Sequence, residues 1–139
     1  IIASLKWGEK NGKKPIAKIL SAASAAVEPR IMGVGPAYAI PKALERAKLS
    51  LKDMDIIEIN EAFASQVLGC LALMKVDFKD PRLNPNGGAI AIGHPLGCSG
   101  ARLALTVSRQ LKETGARYAA VSLCIGVGQG LAVIIERVK

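Results

Sequence analysis

The chain has 139 residues, half of them hydrophobic, which suits one domain that buries roughly two-thirds of the surface its unfolded form would expose, without disulfide staples. Its formal charge of +8 is concentrated in the first 50 residues, a skew that a nucleic-acid surface, an anionic cofactor or a solvated basic loop can each produce. Cys70, Cys98 and Cys124 cannot all pair with one another, no apolar run approaches the roughly 18 to 20 residues a bilayer needs, and these 139 residues contain no charged segment followed by an apolar core and a small-residue cleavage site. These features predict a soluble protein of a reducing, cytoplasmic compartment with no membrane partner.

Ile1-Ile2-Ala3-Ser4 reads as the middle of a strand and predicts a piece of a longer protein. Lys6, Lys10, Lys13 and Lys14 then surround Asn11-Gly12 without aromatic partners for stacked bases, so nucleic acid is not an expected partner. Residues 16 to 27 are apolar enough for a buried strand, and Glu28-Pro29 with Gly33, Gly35 and Pro36 mark a loop. A helix is predicted from about Tyr38 to Lys48, with Pro41 in its first turn, where a missing N–H is harmless. Ser50-Leu51-Lys52-Asp53 has the pattern of a capping box, and Asp55 to Asn60 reads as a strand.

Ala64, Val67, Leu68, Leu71 and Met74 recur at helical spacing and predict a helix over 61–75, with Cys70 a small core residue. Leu103, Val107 and Leu111 mark another helix that ends near Gly115. Tyr118 to Leu123 and Leu131 to Ile135 read as antiparallel strands joined by the glycine turn of CIGVGQG. The succession predicts an α/β layered domain with a mixed sheet.

Candidate chemistry gathers at strand ends and glycine loops, where α/β folds commonly place their sites. His94, the only histidine, lies between Gly93 and Pro95, with Cys98 four residues on. A lone histidine is more often structural, but proline holds the preceding residue extended and glycine permits close approach, so this setting favours a functional role. Asn60 is either a site residue or the cap of the following helix, and Glu61 has a sufficient explanation in the helix dipole. GVGQG lacks the G-x-G-x-x-G spacing and precedes a strand, which excludes a dinucleotide fingerprint. Zinc held by His94, Cys98 and Cys124 is a minor alternative that no paired-cysteine spacing supports. An imidazole and a thiol on special backbone favour acyl or thioester chemistry.

Three separated motifs, Asn60-Glu61-Ala62-Phe63, NPNGGAIAIGHPLGCSGAR from Asn84 and CIGVGQG from Cys124, closely resemble the C-terminal part of the thiolases. The resemblance runs from about Lys14 to Val138. It implies a thiolase-like layered fold with helices on both faces of the sheet, and an absent first half carrying the cysteine that becomes acylated. It implies coenzyme A thioesters as substrates, no metal or redox cofactor, and a homodimer or homotetramer for the longer protein. Thiolysis of 3-oxoacyl-CoA, as in fatty-acid β-oxidation, or the reverse Claisen condensation is the implied reaction.

By the same resemblance His94 activates the absent nucleophile and donates to the thioester oxygen, and Asn60 holds a water that completes this oxyanion site. Cys124 is the acid/base for the proton beside the thioester, and the Gly126 N–H helps form a second oxyanion site. Many thiolases have three consecutive glycines where this chain has Gly126-Val127-Gly128, which leaves the Val127 side chain either to narrow the pocket or to join the core. CIGVGQG with the Ile-Ile-Glu-Arg ending resembles thiolases that cleave 3-oxoadipyl-CoA. A non-catalytic lipid-carrier or scaffold domain is the alternative of another class.

Overall fold

A computed structural model describes residues 1–138. Four strands, β1 (Ala17–Ala26), β2 (Ile56–Ile59), β3 (Tyr118–Ile125) and β4 (Gln129–Arg137), form one sheet in the order β1-β4-β3-β2. β4 runs antiparallel to both β1 and β3, whereas β2 and β3 are parallel, so the sheet is mixed and the predicted β3–β4 pairing is present. The helices are α1 (Leu5–Lys10), α2 (Gly35–Ala47), α3 (Ala64–Met74), α4 (Ala89–Ile92) and α5 (Leu96–Thr114).

Neighbouring residues of a strand face opposite sides, and the two cores follow that alternation. Ile57 and Ile59 of β2, Ala120 of β3 and Ile134 of β4 pack with Ile40 and Leu44 of α2 and Cys70 and Leu71 of α3. Ile56, Ala119, Val121 and Ile135 point the other way, onto Leu103, Val107 and Leu111 of α5. Helices therefore cover both faces, and Cys70 is the core residue expected of it. Gly115, in left-handed backbone at φ 76°, terminates α5 where the sequence placed its end.

Several local expectations are corrected. Ile1 to Ala3 form no strand, and Ser4 caps α1 by accepting from the Trp7 N–H. β1 is not a buried strand: it lies at the sheet edge, with Ala23 its one buried residue. α2 starts three residues before the predicted Tyr38, because Pro36 takes the position near the helix start where an imino acid fits. Pro41 consequently lies inside the helix, in its second turn, on the exposed side. The early start also needs Gly35, since a Cβ there would stand 2.7 Å from the Gln129 carbonyl oxygen, and one at Gly130 would stand 2.3 Å from Gly35. α3 begins at Ala64 and leaves Asn60 to Phe63 as irregular chain, with Phe63 extended at φ −149°.

Candidate active site

Parallel strands bring their C-terminal ends together, and β2 and β3 do so here. The ladder between them closes where the Asn60 N–H donates to the Ser122 carbonyl at 2.9 Å, which puts Asn60 and Cys124 at adjacent strand ends. Asn60 is buried and does not cap α3, whose flanking residue is Phe63, without a side-chain hydrogen bond. On the outer side of β2, the Ile57 N–H donates to the Arg82 carbonyl at 2.8 Å and the Asn84 N–H to the Ile57 carbonyl at 2.9 Å. The Asn84 side-chain amide then pairs with Ile59 as a backbone would, accepting from its N–H and donating to its carbonyl, each at 2.9 Å.

From Asn84 the chain turns through Gly87 and Gly88, makes the single turn α4, reverses at Gly93 (φ 93°) and delivers His94 to the start of α5. Asn60 Nδ2 lies 3.2 Å from His94 Nε2 and 3.5 Å from Nδ1. His94 Nδ1 lies 2.6 Å from Ser99 Oγ, which donates its one hydrogen to the Pro95 carbonyl at 3.2 Å. With that bond made, the Ser99 oxygen is free to accept from Nδ1–H, the tautomer in which Nε2 faces Asn60 as the acceptor. Ser99 escaped the sequence reading although its signal was there: in a helix starting after Pro95, position 99 is the one that can bond back to residue 95. Cys98 beside it is exposed and makes no side-chain hydrogen bond among the described residues.

Cys124 has the same parity along β3 as Ala120 and so rises from the α2/α3 side, within electrostatic reach of Cys70. Burial pushes its thiol above the ordinary range. Gly126, exposed, opens the three-residue turn from β3 to β4, and Gly128, buried, closes it at φ 84°, where a Cβ would collide with the Val27 carbonyl. Between them Val127 has φ 67° and is 82% exposed. Its side chain does not join the core, and a β-branched residue in left-handed backbone is a strained arrangement.

Two groups on the α5 side of the sheet that the sequence did not mark have buried polar atoms. Glu58 on β2 is fully buried with neither carboxylate oxygen bonded, and burial raises it to about 7, opposed by the Arg102 guanidinium and assisted by Glu61. Arg102 Nη2 is likewise buried without a partner. Glu61 is not in the first turn of a helix: it accepts from Asn84 Nδ2 at 3.2 Å and from the Ile90 N–H at 3.1 Å. Among the described residues, no three His, Cys, Asp or Glu side chains gather as a metal site. Phe63, Ile90, Ile92, Leu96, Ile125 and Val127 are all exposed, and together they give this end of the sheet an apolar rim.

The family model for the thiolase C-terminal domain matches residues 13–137. The 3-oxoadipyl-CoA/3-oxo-5,6-dehydrosuberyl-CoA thiolase of Escherichia coli is 56% identical over 138 residues, covering 99% of this chain and 34% of that protein. A β-ketoadipyl-CoA thiolase of Pseudomonas aeruginosa is 54% identical over the same shares. The crystal structure of human mitochondrial 3-ketoacyl-CoA thiolase superposes with a TM-score of 0.94 at 46% identity, again over 99% of this chain and 34% of that one. The chain spans about a third of the length of these relatives. It carries their fold and the residues that drew the resemblance in the first place, and it belongs to the thiolase family as a thiolase C-terminal domain.

Proposed function

We propose that this chain supplies the acid/base half of a thiolase that cleaves a 3-oxoacyl-CoA with CoA, or runs the reverse condensation. The observation that carries the reading is the held imidazole: Ser99 directs Nδ1, Asn60 faces Nε2, and Cys124 occupies the adjoining strand end. In thiolysis the nucleophilic cysteine, contributed by the part of the protein beyond this chain, gives its proton to His94 Nε2 and attacks the 3-oxo carbon. The bond between C2 and C3 breaks, and the acyl group stays on that cysteine.

The departing acetyl-CoA enolate takes a proton at C2 from Cys124, whose buried thiol is held in the protonated form such a donor needs. The imidazolium donates to the enolate oxygen, and a donor of that kind is worth about 3 to 4 kcal/mol. The Cys124 thiolate takes the proton of the incoming CoA thiol, the CoA thiolate takes the acyl group from the nucleophilic cysteine, and the released cysteine thiolate recovers its proton from His94. The exposed Gly126 N–H belongs to the second oxyanion site. A 3-oxoadipyl-CoA substrate is supported by the names of the similar bacterial enzymes. A homodimer or homotetramer acting in the cytoplasm, with no resident metal or redox cofactor, completes the proposal.

The test compares the full-length protein with the 139-residue chain alone, in thiolysis of 3-oxoadipyl-CoA followed by acetyl-CoA release. The full-length protein is expected to turn over and the chain alone to remain at background. A full-length protein without thiolysis of any 3-oxoacyl-CoA overturns the reading.

A further inference from the structure

We infer that Glu61 is a positioning residue for His94, acting through the arm of chain that carries the imidazole; the inference rests on the catalytic reading above. Asn60 and Glu61 are consecutive, yet they grip the same loop at two places. Asn60 holds the imidazole itself. Glu61 holds the backbone beneath it, since one carboxylate oxygen accepts from the Ile90 N–H in α4 and the other from Asn84 Nδ2 at the base of the arm. Asn84 is fastened in turn to both backbone groups of Ile59, the residue before Asn60.

The clamp closes a short circuit: β2 end, Asn84, Glu61, Ile90, then Gly93 and His94. Gly88 is the one residue that lets the carboxylate in, because a Cβ there would stand 2.5 Å from Glu61 Oε2. Asn84 adopts left-handed backbone at φ 41° to present its amide to both partners. A side chain that only completed the surface would not need a glycine opposite it and an asparagine in an unusual conformation beside it. Its effect at the reacting atoms is to fix how far Nε2 stands from Asn60, and displacement of a catalytic group by about 1 Å can cost a hundredfold in rate.

Two variants of the full-length protein test this. Glu61→Gln keeps the shape but puts an amide N–H against one of the two donors, and Gly88→Ala pushes a methyl group into the carboxylate. Both are expected to lower kcat by about 10- to 100-fold with KM within about twofold. Both should also raise the rate at which diethyl pyrocarbonate modifies His94, read from the His94 peptide by mass spectrometry. Asp53→Asn, which weakens the distant capping box at Ser50, controls for loss of stability and should move neither quantity.

Normal kcat and normal His94 reactivity in folded Glu61→Gln overturn the inference, as does a fall in kcat with unchanged His94 reactivity. If Glu61→Gln does not fold, Gly88→Ala decides on the same two readouts. Absence of thiolysis in the unmodified protein counts against the catalytic reading, while the His94 modification rate still reports on the clamp.

Discussion

The two faces of the sheet are made of different materials. Against α2 and α3 the contacts are mostly aliphatic, with Ile40, Leu71 and Ile134 fully enclosed and Gln66 and Ser122 as the buried polar side chains. Under α5 the aliphatic part ends at Leu103, and beyond it toward the strand ends lie Glu58, Asn60, Ser99 and the buried part of Arg102. Buried polar groups cost stability unless partnered, but their directional bonds specify one arrangement where aliphatic packing tolerates several. The first face holds the domain together, and the second spends some of that stability on orienting an imidazole. Cys124 comes up from the aliphatic side at the strand end next to that of Asn60, so the proposed site straddles the sheet.

The largest expected effect tests that straddling arrangement. In the full-length protein Cys124→Ser should lower thiolysis by about a hundred- to ten-thousandfold while acylation of the nucleophile, which depends on His94, persists in part. Cys98→Ala should stay within a few fold. Steady-state thiolysis beside a pre-steady-state acylation assay reads both, and near-normal turnover in Cys124→Ser would leave only the α5 face with chemistry.

A smaller effect measures how much stability the α5 face gives up. Burial raises folded Glu58 from 4.5 to about 7, so between those values the native form keeps a proton that the unfolded chain has released. Stability should therefore fall as pH rises through that window, by up to about 3 kcal/mol, and the penalty is complete above it. Glu58→Gln should flatten the dependence, seen as the difference in Tm between pH 5 and pH 8. An unchanged slope would mean that the carboxylate gains a partner from the rest of the protein.

The smallest effect lies at the turn. Val127→Gly should add about 1 kcal/mol by removing a β-branched side chain from left-handed backbone, which denaturant unfolding can measure. The same change should alter the ratio of kcat/KM for short and dicarboxylic 3-oxoacyl-CoA by up to about tenfold. An unaltered ratio would make the exposed valine a feature of the turn alone.

Much of the fold was legible because its signals are local. Leu103, Val107 and Leu111 announce α5 by spacing, Gly115 announces its end, and the β3–β4 hairpin follows from two apolar runs around glycines. The motifs around Asn60, His94 and Cys124 identified the family before any geometry was known. What stayed hidden depends on partners remote in sequence. β1 has the composition of a buried strand, and only the strand order puts it at the edge. Glu61 looked like a helix-dipole residue because the contact that defines it, with Ile90, lies 29 residues away. Pro41 misplaced the start of α2 because the Gly35–Gly130 approach that sets it is a meeting of two backbones, with no side-chain pattern to betray it.

β1 carries one further consequence, for how copies of this chain meet. Arg46 Nη1 donates to the Ala22 carbonyl at 2.6 Å and Lys42 Nζ to the Ser24 carbonyl at 3.0 Å, both on this outermost strand. Strand addition is reciprocal, each residue exchanging a donor for an acceptor, and here cations already occupy two of the acceptors. Two such edges brought side by side would offer amide hydrogens to amide hydrogens while pressing like charges together. At these two positions a strand added to the border must displace or neutralise Lys42 and Arg46.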